Sequence, residues 1–150
     1  MRGMKIKRVI SLMIFPFALL SASDYTKLEI TTYIKNRVDH DSNPKFNHQY
    51  TINFKNNMCS FSLHDIGEYG ITDWDIDLKL VTVSFSNTGT YYVNFDCVSN
   101  KECVRYKYDN GSKIHRQTSM GIYTNNANTI KLYNAFNDLS MKCKGMKELY

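Results

Sequence analysis

The chain has 150 residues, 19 Lys and Arg against 14 Asp and Glu, and a formal charge of +5. Four of those cations, Arg2, Lys5, Lys7 and Arg8, open the chain, which leaves 15 against 14 from residue 24 onward. The basic surplus therefore belongs to the leading segment, and the electrostatic case for nucleic-acid binding falls with it.

That segment runs from its cations into a mostly apolar stretch over residues 9–20 and ends in the small residues Ser21, Ala22 and Ser23. This is the order of a secretory signal peptide, and the stretch is too short to span a bilayer as a helix. The sequence predicts a signal peptide over 1–23 and a single exported α+β domain over 24–150. No cysteine follows the small residues to take a lipid, and no later stretch of 18 apolar residues predicts a membrane span. The expected address is the periplasm or the medium.

Residues 26–40 place Ile30, Ile34 and Val38 on one helical face. Leu28 and Ile30 also alternate with polar residues, so a strand competes there, and Thr31, Thr32 and Tyr33 are poor helix formers. Residues 39–47 form a loop broken by Pro44. Strands follow. Tyr50, Ile52 and Phe54 alternate with polar residues, Asn56-Asn57 offers positive φ for a turn, and Cys59, Phe61 and Leu63 alternate next. Residues 65–75 read as irregular.

Ile76, Leu78 and Leu80 hold one phase and Val81, Val83 and Phe85 the other, which predicts a β-bulge or a strand buried on both faces. Asn87-Thr88-Gly89 marks a turn before Tyr91, Val93, Phe95 and Cys97; Val104, Tyr106 and Tyr108 alternate after it. Asp109-Asn110-Gly111 is the strongest hairpin signal, leading into a strand over 113–123 bent at Gly121. A final helix, capped by Asn125 or Asn126, carries Ile130, Tyr133, Phe136, Leu139 and Cys143 on one stripe and stops at Gly145. The expected fold is α+β: an antiparallel sheet of about six strands, a short N-terminal helix and a C-terminal packing helix.

Cys59, Cys97, Cys103 and Cys143 allow three disulfide connectivities, and an even count in an exported chain favours bonding. A five-residue turn separates Cys97 from Cys103. Cys59 shares a strand face with Phe61 and Leu63, and Cys143 a helical stripe with Phe136 and Leu139, so periodicity favours Cys97–Cys103 with Cys59–Cys143. No C-x-x-C pair supports a zinc or redox centre.

The strand from Cys59 to Asp65, the paired strands bearing Cys97 and Cys103, and the helix residues Ala135, Phe136, Leu139 and Cys143 together resemble small exported bacterial domains of unknown function. Their strands end in an A-F-x-x-L-x-x-x-C helix, in an order similar to pleckstrin-homology-like architecture. The resemblance implies a fold and an export route, and no activity.

Asp73, Asp75 and Asp77 are spaced like the start of a calcium loop, but Leu78 and Ser84 stand where that loop needs glycine and glutamate. His64-Asp65 suggests an oriented general base, with Ser60 and Ser62 the nearest hydroxyls and no nucleophile elbow around them. His40 and His48 lie with Asp39 and Asp41 in a polar loop, without metal-ligand spacing. No phosphate-cradling glycine loop occurs, so no cofactor and no metal are expected.

The chain holds 11 Tyr, and tyrosine joins apolar area to a polar tip. Tyr92 stands out of phase with Tyr91, Val93 and Phe95. It is expected to face outward beside Arg105 or Lys107 and form a contact patch. These residues point to a non-catalytic exported binding module whose partner is a protein or glycan of the cell envelope or surroundings. The alternatives are a small secreted hydrolase using His64 and Asp65, or an inhibitor or immunity-type protein.

Overall fold

The computed structural model describes residues 25–40 and 47–145; the signal peptide expected over 1–23 lies outside them. In chain order the elements are α1 (Lys27–His40), β1 (Gln49–Phe54), β2 (Ser60–Gly67), β3 (Gly70–Asp77), β4 (Val81–Thr88), β5 (Thr90–Cys97), β6 (Val104–Tyr108), β7 (His115–Gln117), β8 (Ser119–Tyr123) and α2 (Thr129–Cys143). The fold is α+β. Among the described residues eight strands replace the expected six, and they form two antiparallel sheets, β1-β2-β3-β6-β7 and β4-β5-β8.

The first segment is a helix because its start is built for one. Glu29 Oε2 accepts the Thr26 N–H (2.7 Å) and hydroxyl (2.8 Å), and Thr26 Oγ1 accepts the Glu29 N–H (3.3 Å). This reciprocal pair is a capping box. The same bonds to Thr26 hold the Glu29 carboxyl below its ordinary pKa. Thr31 and Thr32 spend their hydroxyls on the carbonyl of Leu28, which makes them tolerable inside the helix. Ile30, Ile34 and Val38 are buried on the expected face.

Three corrections concern strands. Residues 65–75 are regular: β2 continues to Gly67, turns tightly and returns as β3 in full register from Gly67↔Gly70 to Ser60↔Asp77. The phase change at Leu80 is neither a bulge nor a two-faced strand. Ile76 and Leu78 enter the core, Leu80 stays exposed in a turn, and Val81 and Val83 enter the core again from the other sheet. The strand expected over 113–123 breaks at Thr118, not at Gly121, so that β7 belongs to one sheet and β8 to the other.

One turn differs in detail from expectation and another does not. Positive φ falls on Met58, while Asn57 Oδ1 accepts the N–H groups of Cys59 and Ser60. The 109–111 turn forms as expected, with positive φ at Asp109 and Asn110.

α2 begins later than expected, with Asn128 as its N-cap; Asn125 instead accepts the Asn128 N–H through its side chain. Ile130 is exposed, and the buried stripe is Leu132, Phe136, Leu139 and Cys143. Gly145 stops the helix at φ 67°, a conformation costly for other residues. The core is centred on Phe61 of one sheet, Phe95 of the other and Phe136 of α2. These rings are fully buried, with centroids 4.9–5.6 Å apart.

Cys59–Cys143 and Cys97–Cys103 are both bonded, with Cα separations of 5.5 and 5.7 Å. Loop-closure entropy assigns about 4.6 kcal/mol to the first, which closes 84 residues, and about 2.4 kcal/mol to the second. Replacing Cys59 and Cys143 together with alanine is therefore expected to lower stability by roughly twice as much as replacing Cys97 and Cys103. Urea midpoints of the two double variants check this, and equal losses would contradict it.

Candidate functional site

Alternation along β2 sends Phe61, Leu63 and Asp65 inward and Ser62 and His64 to the opposite face. The outward face of the five-stranded sheet is polar, and the register lines it up in rows. One row is Thr51, His64, Asp73 and Lys107; the next is Asn53, Ser62, Asp75, Arg105 and Arg116. His64 Nδ1 lies 2.6 Å from Asp73 Oδ1. Lys55 Nζ lies 3.2 Å from Asp75 Oδ1, and Arg105 reaches the same carboxylate at 3.9 Å. At the end of this face a groove of about 700 Å³ opens between the sheet, the 98–103 loop and the turn at Lys79 and Leu80. Arg105, one of the residues expected to make contacts, lines it.

His64 and Asp65 do not form the expected dyad, because adjacent strand residues point to opposite faces. Asp65 is buried and pairs with His48, Nδ1 to Oδ1 at 2.6 Å. His48 stacks on Tyr50 with centroids 5.5 Å apart and lies 5.0 Å from the ring of Tyr123. The ring fits because Gly67 has no side chain: a Cβ there would stand 3.0 Å from His48 Cε1. Tyr50, buried beside them, accepts the Tyr123 N–H at 3.1 Å, and burial lifts its phenol well above the usual tyrosine pKa. Both imidazoles are oriented by a carboxylate, His48 by Asp65 and His64 by Asp73.

Tyr92 faces away from Val93 and Phe95 as expected, but its neighbours are not Arg105 and Lys107. It sits on the three-stranded sheet opposite Ser86 and Tyr123, with its ring 6.4 Å from that of Tyr123. Arg105 and Lys107 lie on β6 of the other sheet. The expected patch is therefore divided between two sheets.

The carboxylates of the calcium-like spacing are engaged separately, Asp73 by His64, Asp75 by Lys55 and Asp77 by the Lys79 N–H. Asp39 accepts the Ile52 N–H, which leaves the loop set with His48 already paired; Asp41 lies outside the described residues.

The register also assembles an aromatic row that no local motif signals. Trp74, Tyr106 and His115 are consecutive partners across β3, β6 and β7. Their centroids are 4.9 and 5.2 Å apart, and among the described residues the buried Trp74 Nε1 has no hydrogen-bond partner. No protein-family model, no curated protein and no solved structure matches the chain.

The buried phenol gives a pH dependence. Unfolded Tyr50 ionises near 10.0, and the folded residue resists ionisation to a higher pH. Its contribution is complete below the unfolded value and declines as pH rises beyond it, by up to about 1.4 kcal/mol per pH unit. Tyr50→Phe is expected to cost about 1 kcal/mol at pH 8 for the lost hydrogen bond and to flatten the alkaline decline. Denaturant midpoints between pH 8 and 11 check this; parallel curves would refute the assignment. His64→Ala, which breaks an exposed pair, is expected to change stability by less than about 1 kcal/mol, and a larger drop in its urea midpoint would contradict that.

Proposed function

We propose that this chain is an exported binding module without catalytic activity, and that its partner is a protein or glycan of the cell envelope or surroundings. The observation that carries this proposal is the outward face of the five-stranded sheet. Neither helix contributes a residue to the groove there, and its wall is pinned by the Cys97–Cys103 bridge. A wall held by a covalent bond loses little freedom when a partner settles on it.

Export is supported by the leader sequence and by two disulfides, which persist in oxidising compartments. No helix among the described residues is long and apolar enough to cross a membrane. A hydrolase built on His64 and Asp65 loses its support, because the two side chains engage different partners on opposite faces. An inhibitor or immunity-type role is one form that a protein-binding module takes.

Oxidised protein immobilised and exposed to envelope extract is expected to retain one stoichiometric partner, and Arg105→Ala to retain less of it. Retention of nothing, or a hydrolytic activity abolished by His64→Ala, would sink the proposal.

A further inference from the structure

The row that ends in the groove carries an imbalance. Arg105 and Arg116 are direct cross-strand partners on β6 and β7. Side chains so paired stand roughly 5 Å apart at Cβ, and like charges in that relation repel. Lys55 adds a third cation, and the row supplies one carboxylate, Asp75, which Lys55 and Arg105 already share. The described residues give Arg116 no ion-pair partner. Two guanidinium forks abreast with one shared counter-charge form a seat for an external carboxylate, which each fork can accept in bidentate fashion.

The rest of the groove says what bears that carboxylate. Five cations, Lys55, Lys79, Lys101, Arg105 and Arg116, and three carboxylates, Asp75, Asp77 and Glu102, line it, so the surplus of positive charge is modest and suits a segment with few negative charges better than a dense polyanion. Beside the cations stands an apolar wall. Leu80 is 51% and Val98 63% exposed, and the Val98 N–H donates to the Leu80 carbonyl at 3.0 Å, which holds the two side by side. One isolated negative charge next to an aliphatic side chain suits both features.

We propose that this groove binds a polypeptide segment in which an Asp or Glu is followed or preceded by an aliphatic residue. The carboxylate sits between Arg105 and Arg116, and the aliphatic side chain rests on Leu80 and Val98. The proposal rests on the binding-module reading and names the partner chemistry for its groove.

The test is selection of random nonapeptides displayed on phage against the oxidised protein, followed by titration of the enriched peptides as free, end-capped, fluorescent probes. The expected result is enrichment of an acidic residue adjacent to Leu, Ile or Val. The Arg105→Gln/Arg116→Gln protein should bind such a probe at least about tenfold more weakly, and Val98→Ser about threefold more weakly. Arg105→Lys/Arg116→Lys keeps the charge without the forks and should fall between. Circular dichroism of each variant confirms that these exposed substitutions leave the fold intact. Enriched peptides without an acid, equal binding by the double Gln variant, or tighter binding of heparin at the same site would each overturn the proposal. If envelope extract yields a partner that the double Gln variant still retains, this inference fails while the binding-module reading stands. If neither extract nor library yields a ligand, both fail.

Discussion

The last turn of α2 holds the two sheets together. The chain leaves the five-stranded sheet at Leu78 and enters the three-stranded one at Val81, and α2 grips both ends of that passage. Ser140 Oγ donates to the Leu78 carbonyl at 3.1 Å, and Lys144 Nζ to the Val81 carbonyl at 2.6 Å. Cys143 is bonded to Cys59, whose carbonyl accepts the Leu78 N–H. Leu78 is buried, so its carbonyl would go unpaired without the serine. Partial burial also holds the Lys144 ammonium below its ordinary pKa. The other passages are fixed as well, one by Cys97–Cys103 and one where the Cys97 N–H donates to the Thr118 carbonyl.

With the sheets so held, the two faces of each strand take different work. The inner faces carry Phe61 and Phe95, which meet Phe136 of α2, and, at the margin, the His48–Asp65 pair under Gly67. The outer face of the larger sheet keeps its charges in rows, where solvent screens them and pairing contributes little to stability. Charges that add little to the fold can be arranged for recognition at small cost. The groove lies on this face, at the end stiffened by the short disulfide.

Much of this was legible in the sequence, and the exceptions have physical causes. The first helix, most strands, the 109–111 turn and the disulfide pairing followed from periodicity and spacing, because burial imposes period on the chain. The capping box at Thr26 and Glu29 was written there too, and it settles helix against strand. Residues 65–75 concealed β3 because its polar positions, Asp73, Asp75 and Asp77, face solvent while its inward positions include half-buried Thr72 and Trp74. The division into two sheets was hidden because hairpin signals give neighbours in sequence and do not tell where a strand changes layer. That gap also separated Tyr92 from Arg105 and Lys107. The splitting of His64 from Asp65, by contrast, follows from the two-residue period alone. The partners His48 and Asp73 needed the register.

The 84-residue span closed by Cys59 and Cys143 has a mechanical consequence. Tension applied to the two ends of the polypeptide passes from one sulfur to the other and bypasses everything between them. Both passages near the groove, all of β2 through β8, and nearly all of α2 are therefore shielded from stretching. Among the described elements only α1 and β1 lie outside that span and can pay out under load.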